Sequence, residues 1–189
     1  LALFVLGAVM THGAMLPIGG WLLVISALPT VGLLWRWFAR RRRTLDGALW
    51  HVSASAFALA VAPFIGCWLL LGDPYRFSRW AALLVALLIG WLTTLIVGVM
   101  AKILPHLSYI NLARRMPGFS AIGSPNGLLR EDWQRASALA MAMGWSGLVL
   151  ALAFEHSGGA RAAAALWSGG VAVTVANIAR MYVIGRRPI

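Results

Sequence analysis

Four histidines, His12, His51, His106 and His156, are the side chains in this chain best able to do chemistry. A neutral imidazole needs only one deprotonated nitrogen to ligate iron, and a b-type haem takes its axial ligands from imidazoles on neighbouring helices. His51 and His106 fall at compatible depth, near the same ends of their apolar runs. His12 sits in Thr11-His12-Gly13, between two apolar stretches and just ahead of Pro17. An ionisable residue near membrane depth is a candidate for function by default. His12, His51 and His106 are therefore the candidate cofactor-binding residues, with haem b as the candidate cofactor. The competing role for each is an interfacial imidazole bonded to backbone or water, which is also the simpler role for His156.

Other chemistry is sparse. Cys67 is the single cysteine, so neither an intrachain disulfide nor a CxxC metal site is available. Lys102, the only lysine, lies about one turn from the end of an apolar run and can snorkel to water, with a proton pathway or an anionic headgroup as the other roles open to it. Glu155 and His156 are adjacent, which on a helix turns them about 100° apart and discounts an acid–base pair. There is no Walker loop, GxSxG elbow or HExxH run. No catalytic residue and no metal-ligand set is assigned.

The elements that must position these residues follow from composition. Of 189 residues, 61% are hydrophobic and 11% charged, and the mean hydropathy is +0.82. A soluble domain carries about 25% charged residues, so an ordinary soluble fold is excluded and a bilayer is the expected surrounding. Apolar runs of about 20 residues mark spanning helices. They predict an all-α polytopic transmembrane bundle with five full spans, about Met15 to Phe38, Gly47 to Leu71, Trp80 to Leu104, Ala136 to Phe154 and Ala162 to Ile184. A partial run covers Leu1 to about Met10. That run starts at full hydrophobicity without a basic flank, so the chain is expected to be the C-terminal portion of a longer protein with a single transmembrane domain. Residues 106–135, rich in turn residues such as Met116-Pro117-Gly118 and Ser124-Pro125-Asn126-Gly127, are expected to form a cytoplasmic loop.

The net charge of +11 orients this bundle rather than recruiting nucleic acid. Assigning the loops alternately to two sides puts Arg36, the run Arg40 to Arg43, Lys102, Arg114, Arg115, Arg130, Arg135, Arg180, Arg186 and Arg187 on one side. Arg76, Arg79 and Arg161 fall on the other. The positive-inside rule then places the first set and the C-terminus in the cytoplasm, and a bacterial inner membrane is the expected location. Trp35, Trp37, Trp50, Trp80 and Trp133 lie at or near the proposed helix ends, where amphipathic rings favour the headgroup region. Gly90, Thr94 and Gly98 recur every four residues and share one helix face, a small-residue stripe that predicts close packing on another helix. Pro17, Pro29 and Pro63 are expected to kink their helices.

The run from Gly90 to Leu107, with Gly98-Val99-Met100-Ala101-Lys102-Ile103-Leu104-Pro105 at its centre, resembles membrane proteins related to the haem–copper oxidase catalytic subunit, in which a helix ends in a Gly-Met-x-Lys-Ile-x-Pro-like run. The resemblance covers about twenty residues, roughly one membrane crossing. It implies a larger helix bundle with b-type haem, and copper in some members, held by histidines. The His-Pro-Glu-Val-Tyr-like copper run and the closely spaced histidine pair of the true oxidases do not occur here. Two functions are thus expected: an integral membrane protein of respiratory or nitrogen-oxide-related electron transfer that binds haem, or a non-catalytic membrane subunit packed against a larger energy-transducing complex. A transporter segment is disfavoured because the apolar runs hold no acidic residue. Lipid and membrane-protein subunits are the expected partners.

Overall fold

The computed structural model describes residues 15–40, 46–71, 77–115 and 128–184, and among them every regular element is helical. The helices are α1 (Met15–Arg40), α2 (Gly47–Leu71), α3 (Phe77–Leu84), α4 (Thr94–Arg115), α5 (Glu131–Ala153) and α6 (Ser157–Ile184), with a π-helical stretch, Val85–Thr93, joining α3 to α4. Among the described residues four helices are long and apolar enough to cross a membrane: Gly47–Trp68, Phe77–Asn111, Glu131–Ala153 and Ser157–Val183. This is a multi-pass membrane fold. The expected run at Met15 to Phe38 does form a helix, α1, but is not one of these four, and the partial run Leu1 to Met10 lies outside the described residues.

Three expected boundaries move. The third span was expected to end near Leu104, yet its helix continues through Pro105 to Arg115. Hydropathy marks where a helix leaves an apolar setting, not where its backbone stops, and α4 continues although Pro105 forfeits the bond its nitrogen would have donated and crowds the carbonyl of Ala101. The fourth starts at Glu131 rather than Ala136, because Glu131 and Asp132 favour the positive end of the helix dipole. The expected loop of residues 106–135 therefore surrenders its first ten and last five residues to helices. The last helix starts at Ser157 instead of Ala162.

Local chemistry explains these starts and stops. Asp46 caps α2, its Oδ1 accepting from the Leu49 N–H at 2.9 Å. His156 does the same for α6, with Nδ1 accepting from the Gly159 N–H at 2.8 Å. Between α5 and α6, His156 N–H donates to Ala151 O at 2.8 Å and Glu155 N–H to Leu152 O at 3.3 Å, closing α5 in a Schellman motif. Its left-handed position is held by Glu155 (φ 56°) where glycine is usual. The Glu155 carboxylate also accepts from Ser78 Oγ at 3.0 Å, tying this corner to α3.

The bundle has two ends. One gathers the starts of α2 and α5 with the finish of α4 and α6, and the other gathers the finish of α2 and α5 with the starts of α3 and α6. Among the described residues the first end carries Arg40, Lys102, Arg114, Arg130 and Arg135, and it is called the basic end below. Ala58, Ala62, Ile65, Ala82, Ala86, Trp145 and Val149 form one buried cluster between α2, α3, the π-helical stretch and α5. A second, of Ala48, Ala101, Leu128, Leu129 and Met181, lies towards the basic end. Large apolar side chains such as Phe64, Leu71, Leu88, Leu139 and Leu150 face outward, as a lipid-facing surface requires.

Candidate functional site

The stripe of Gly90, Thr94 and Gly98 is the element on which the site is built. A Cβ at Gly90 would lie 2.9 Å from both Ala58 Cβ and Trp145 Cδ2, and one at Gly98 would lie 2.9 Å from His51 Cβ. The rod of α3 and α4 therefore presses its glycines against α2 and α5, as the spacing of four predicts. Thr93 and Thr94 turn their hydroxyls back on the π-helical stretch, donating to Leu88 O at 2.7 Å and Ile89 O at 3.0 Å. The π-helical stretch is nine residues long, beyond the single-turn bulge that is usual inside α-helices, and its Gly90 faces Trp145.

His51 is fully buried in this contact, and neither of its ring nitrogens has a hydrogen-bond partner. Leaving a buried polar atom unpaired costs about 1 to 3 kcal/mol. One turn before it on α2, towards the basic end, is a polar cluster. The Lys102 ammonium pairs with the Asp46 carboxylate. Burial raises the Asp46 carboxyl, but the Lys102 ammonium and the Leu49 and Ala48 N–H groups outweigh it and hold it below its ordinary value of 3.8. Gln134 reaches over from α5 into the space that a side chain at Gly47 would fill: a Cβ there would sit 1.9 Å from Gln134 Oε1. Asp46, Gly47, Lys102, Glu131 and Gln134 line a cavity of about 90 Å³.

The sequence candidates separate. His106 is exposed on α4, its Nδ1 donating to Lys102 O at 3.0 Å. Gly98, which abuts His51, is eight residues away from it, about 12 Å along the helix. His51 and His106 do not meet, and they do not fit the two axial positions of one haem. His12 lies outside the described residues. His156 is exposed and serves as a helix cap. Among the described residues no group of three or more His, Cys, Asp or Glu side chains could hold a metal ion.

Sequence reasoning missed a second seam, between α5 and α6. Ser137 Oγ donates to Gly170 O at 2.7 Å and shares a 2.5 Å bond with Thr174 Oγ1, all buried. Asn177, 1% exposed, clasps the start of α5, accepting from the Arg130 N–H and donating to Arg130 O, both at 3.0 Å. A Cβ at Gly144 would lie 2.6 Å from the Trp167 nitrogen, so these backbones nearly touch. The signal was present in the sequence: Trp167, Gly170, Thr174, Asn177 and Met181 alternate by three and four residues on one face.

Comparison with protein-family models, with curated proteins and with solved structures yields no match for this chain.

Proposed function

We propose that this protein is a non-catalytic membrane subunit, built to pack against partner helices of a larger energy-transducing complex, in a bacterial inner membrane with its basic end cytoplasmic. The observation that carries this reading is the outer face of α6. Ala162, Ala165, Gly169, Ala172, Ala176 and Ala179 are all exposed and alternate by three and four residues, opposite the face that packs on α5. Lipid gains nothing from small side chains, whereas a partner helix can approach closely over them. Nothing lies within 4 Å of a Cβ placed at Gly169, so the approach is open. The test is native mass spectrometry of the protein released from its own membranes. A stoichiometric partner helix protein is expected with the wild type and is expected to be lost in Gly169→Leu, whose own helices stay folded. Equal recovery as a lone chain in both cases contradicts the reading.

A second reading, a haem-bearing protein of respiratory or nitrogen-oxide electron transfer, is favoured by the two unpartnered nitrogens of His51. In that reading His51 would hold the haem together with a ligand from outside the described residues, with His12 as the sequence candidate. A reduced-minus-oxidised absorbance spectrum with a pyridine haemochrome assay decides it. A b-type signal lost in His51→Ala supports haem, and a flat spectrum from folded protein removes it.

A further inference from the structure

Arg79 is a cation that no carboxylate among the described residues neutralises. It opens the inward row of the α3–α4 rod: Arg79, Ala82 and Ala86 follow one another at three and four residues, and both alanines are fully buried. Its guanidinium therefore enters the seam between α3 and α2, where it lies over the Trp68 ring, 4.6 Å from the centroid. Nε and Nη1 are closed to solvent and have no hydrogen-bond partner. Nη2, which makes no bond to protein either, is the one nitrogen left open. Glu155, the acid at this end among the described residues, accepts from Ser78 Oγ at 3.0 Å instead. A charge half withdrawn from water in a membrane helix is costly until a counter-charge meets it.

We propose that Arg79 and Trp68 form a seat for one phospholipid at the end of the bundle opposite the basic end, the lipid phosphodiester accepting a charge-assisted hydrogen bond from Nη2. Trp68 holds the guanidinium plane in place, so Nη2 is positioned before the phosphate arrives. Arg79 also lies in the first turn of α3, where N–H groups lack acceptors within the helix and the dipole favours an anion. Charge at this end acts in the same direction, with Arg79 and Arg161 against Glu155 among the described residues. The surface of α2 selects a lipid over a free anion. Phe64, Trp68 and Leu71 recur at four and three residues and are all exposed, so an outward apolar strip runs up to the ring beneath the guanidinium. A phosphate at Arg79 leaves its acyl chains along that strip.

The seat does not depend on either functional reading. It is tested by native mass spectrometry of the full chain released from nanodiscs of dioleoylphosphatidylglycerol into phosphate-free buffer. The wild type is expected to keep one phospholipid that Arg79→Gln loses, its bound fraction falling about tenfold or more, as the loss of one charge-assisted bond gives. Trp68→Leu, which keeps the charge and removes the ring that holds it, is expected to weaken retention in the same direction. Arg161→Gln, at an exposed cation of the same end, is expected to leave retention unchanged, which separates a seat from general attraction. Millimolar inorganic phosphate is expected to leave the lipid on the wild type. If Arg79→Gln fails to fold, Arg79→Lys replaces it, since it keeps the charge without the planar group that stacks on Trp68. Equal retention in the wild type and a folded Arg79 variant overturns the seat. So does an equal loss in Arg161→Gln, or displacement by inorganic phosphate, which would mark a site for a free anion.

Discussion

The seam between α5 and α6 and the seam between α2 and the α3–α4 rod use the same device, glycine against a neighbouring helix, and differ in how the contact meets its polar groups, although each also buries an indole N–H without a partner, Trp167 in the first and Trp145 in the second. In the first, Ser137, Thr174 and Asn177 find partners across the contact, so close approach and polar pairing support each other. In the second, the close approach is made at Gly90 and Gly98, and Ser55 and Thr94 bond only to carbonyls of their own helices, but His51 at the contact is left unpaired. A structural contact removes orphaned polar atoms because they are costly in an apolar setting. Where one persists, the position is a candidate for something other than holding the bundle together.

Overpacking gives the largest expected break in this comparison. Gly144→Val places side-chain atoms inside the Trp167 backbone and is expected to cost about 3 kcal/mol or more. Gly98→Ala meets the His51 Cβ at 2.9 Å, Val52 Cγ2 at 3.2 Å and the Ala48 backbone oxygen at 3.3 Å, so α2 and α4 must part slightly, and it is expected to cost about 2 kcal/mol. Steric-trap or denaturant unfolding in bicelles measures both, and equal losses would erase the distinction between the seams. Asn177→Ala comes next. It strands the N–H and C=O of Arg130 at the start of α5, for an expected loss of about 2 kcal/mol. Faster amide exchange confined to the first turn of α5 is the accompanying signature.

Smaller effects sharpen the contrast in sign. Ser137→Ala removes a shared buried bond and is expected to cost about 1 kcal/mol, near the range of interhelical bonds in membranes. His51→Leu, of similar size and without polar atoms, is expected to leave stability unchanged or to raise it slightly, since no bond to protein is lost. A loss at His51 as large as that at Ser137 would show that the imidazole has a bonding role in holding the bundle. The smallest effect is acid sensitivity at the basic end. Because the folded Asp46 carboxyl lies below its ordinary 3.8, its contribution is complete at neutral pH, persists as pH falls to that value and is lost only below it. Infrared difference spectra of wild type against Asp46→Asn read this directly, and a protonation midpoint for Asp46 above 3.8 would contradict it.

What the sequence made legible follows from periodicity. Apolar length exposed the four spans, and the recurrence of Gly90, Thr94 and Gly98 every four residues identified a packing face before its partner was known. That partner was not legible, because contact with Ala58, Trp145 and His51 is a long-range fact. Helix α6 shows the harder problem. It carries two small-residue faces, Gly170 to Asn177 inward and Ala162 to Ala179 outward, and spacing alone cannot say which one meets α5. The histidines were less legible: His51 and His106 were expected at compatible depth, but Gly98, which abuts His51, lies eight residues and about 12 Å from His106 along α4, so their separation depends on which turn of α4 faces α2.

The claim that α6 presents a docking face is tested most directly by photo-crosslinking in native membranes. A photoreactive residue replaces Gly169 on that face in one variant and Leu150, outward on α5 and 58% exposed, in another. The account predicts a discrete polypeptide adduct from position 169 and lipid adducts alone from position 150. Lipid adducts alone from both positions would contradict it.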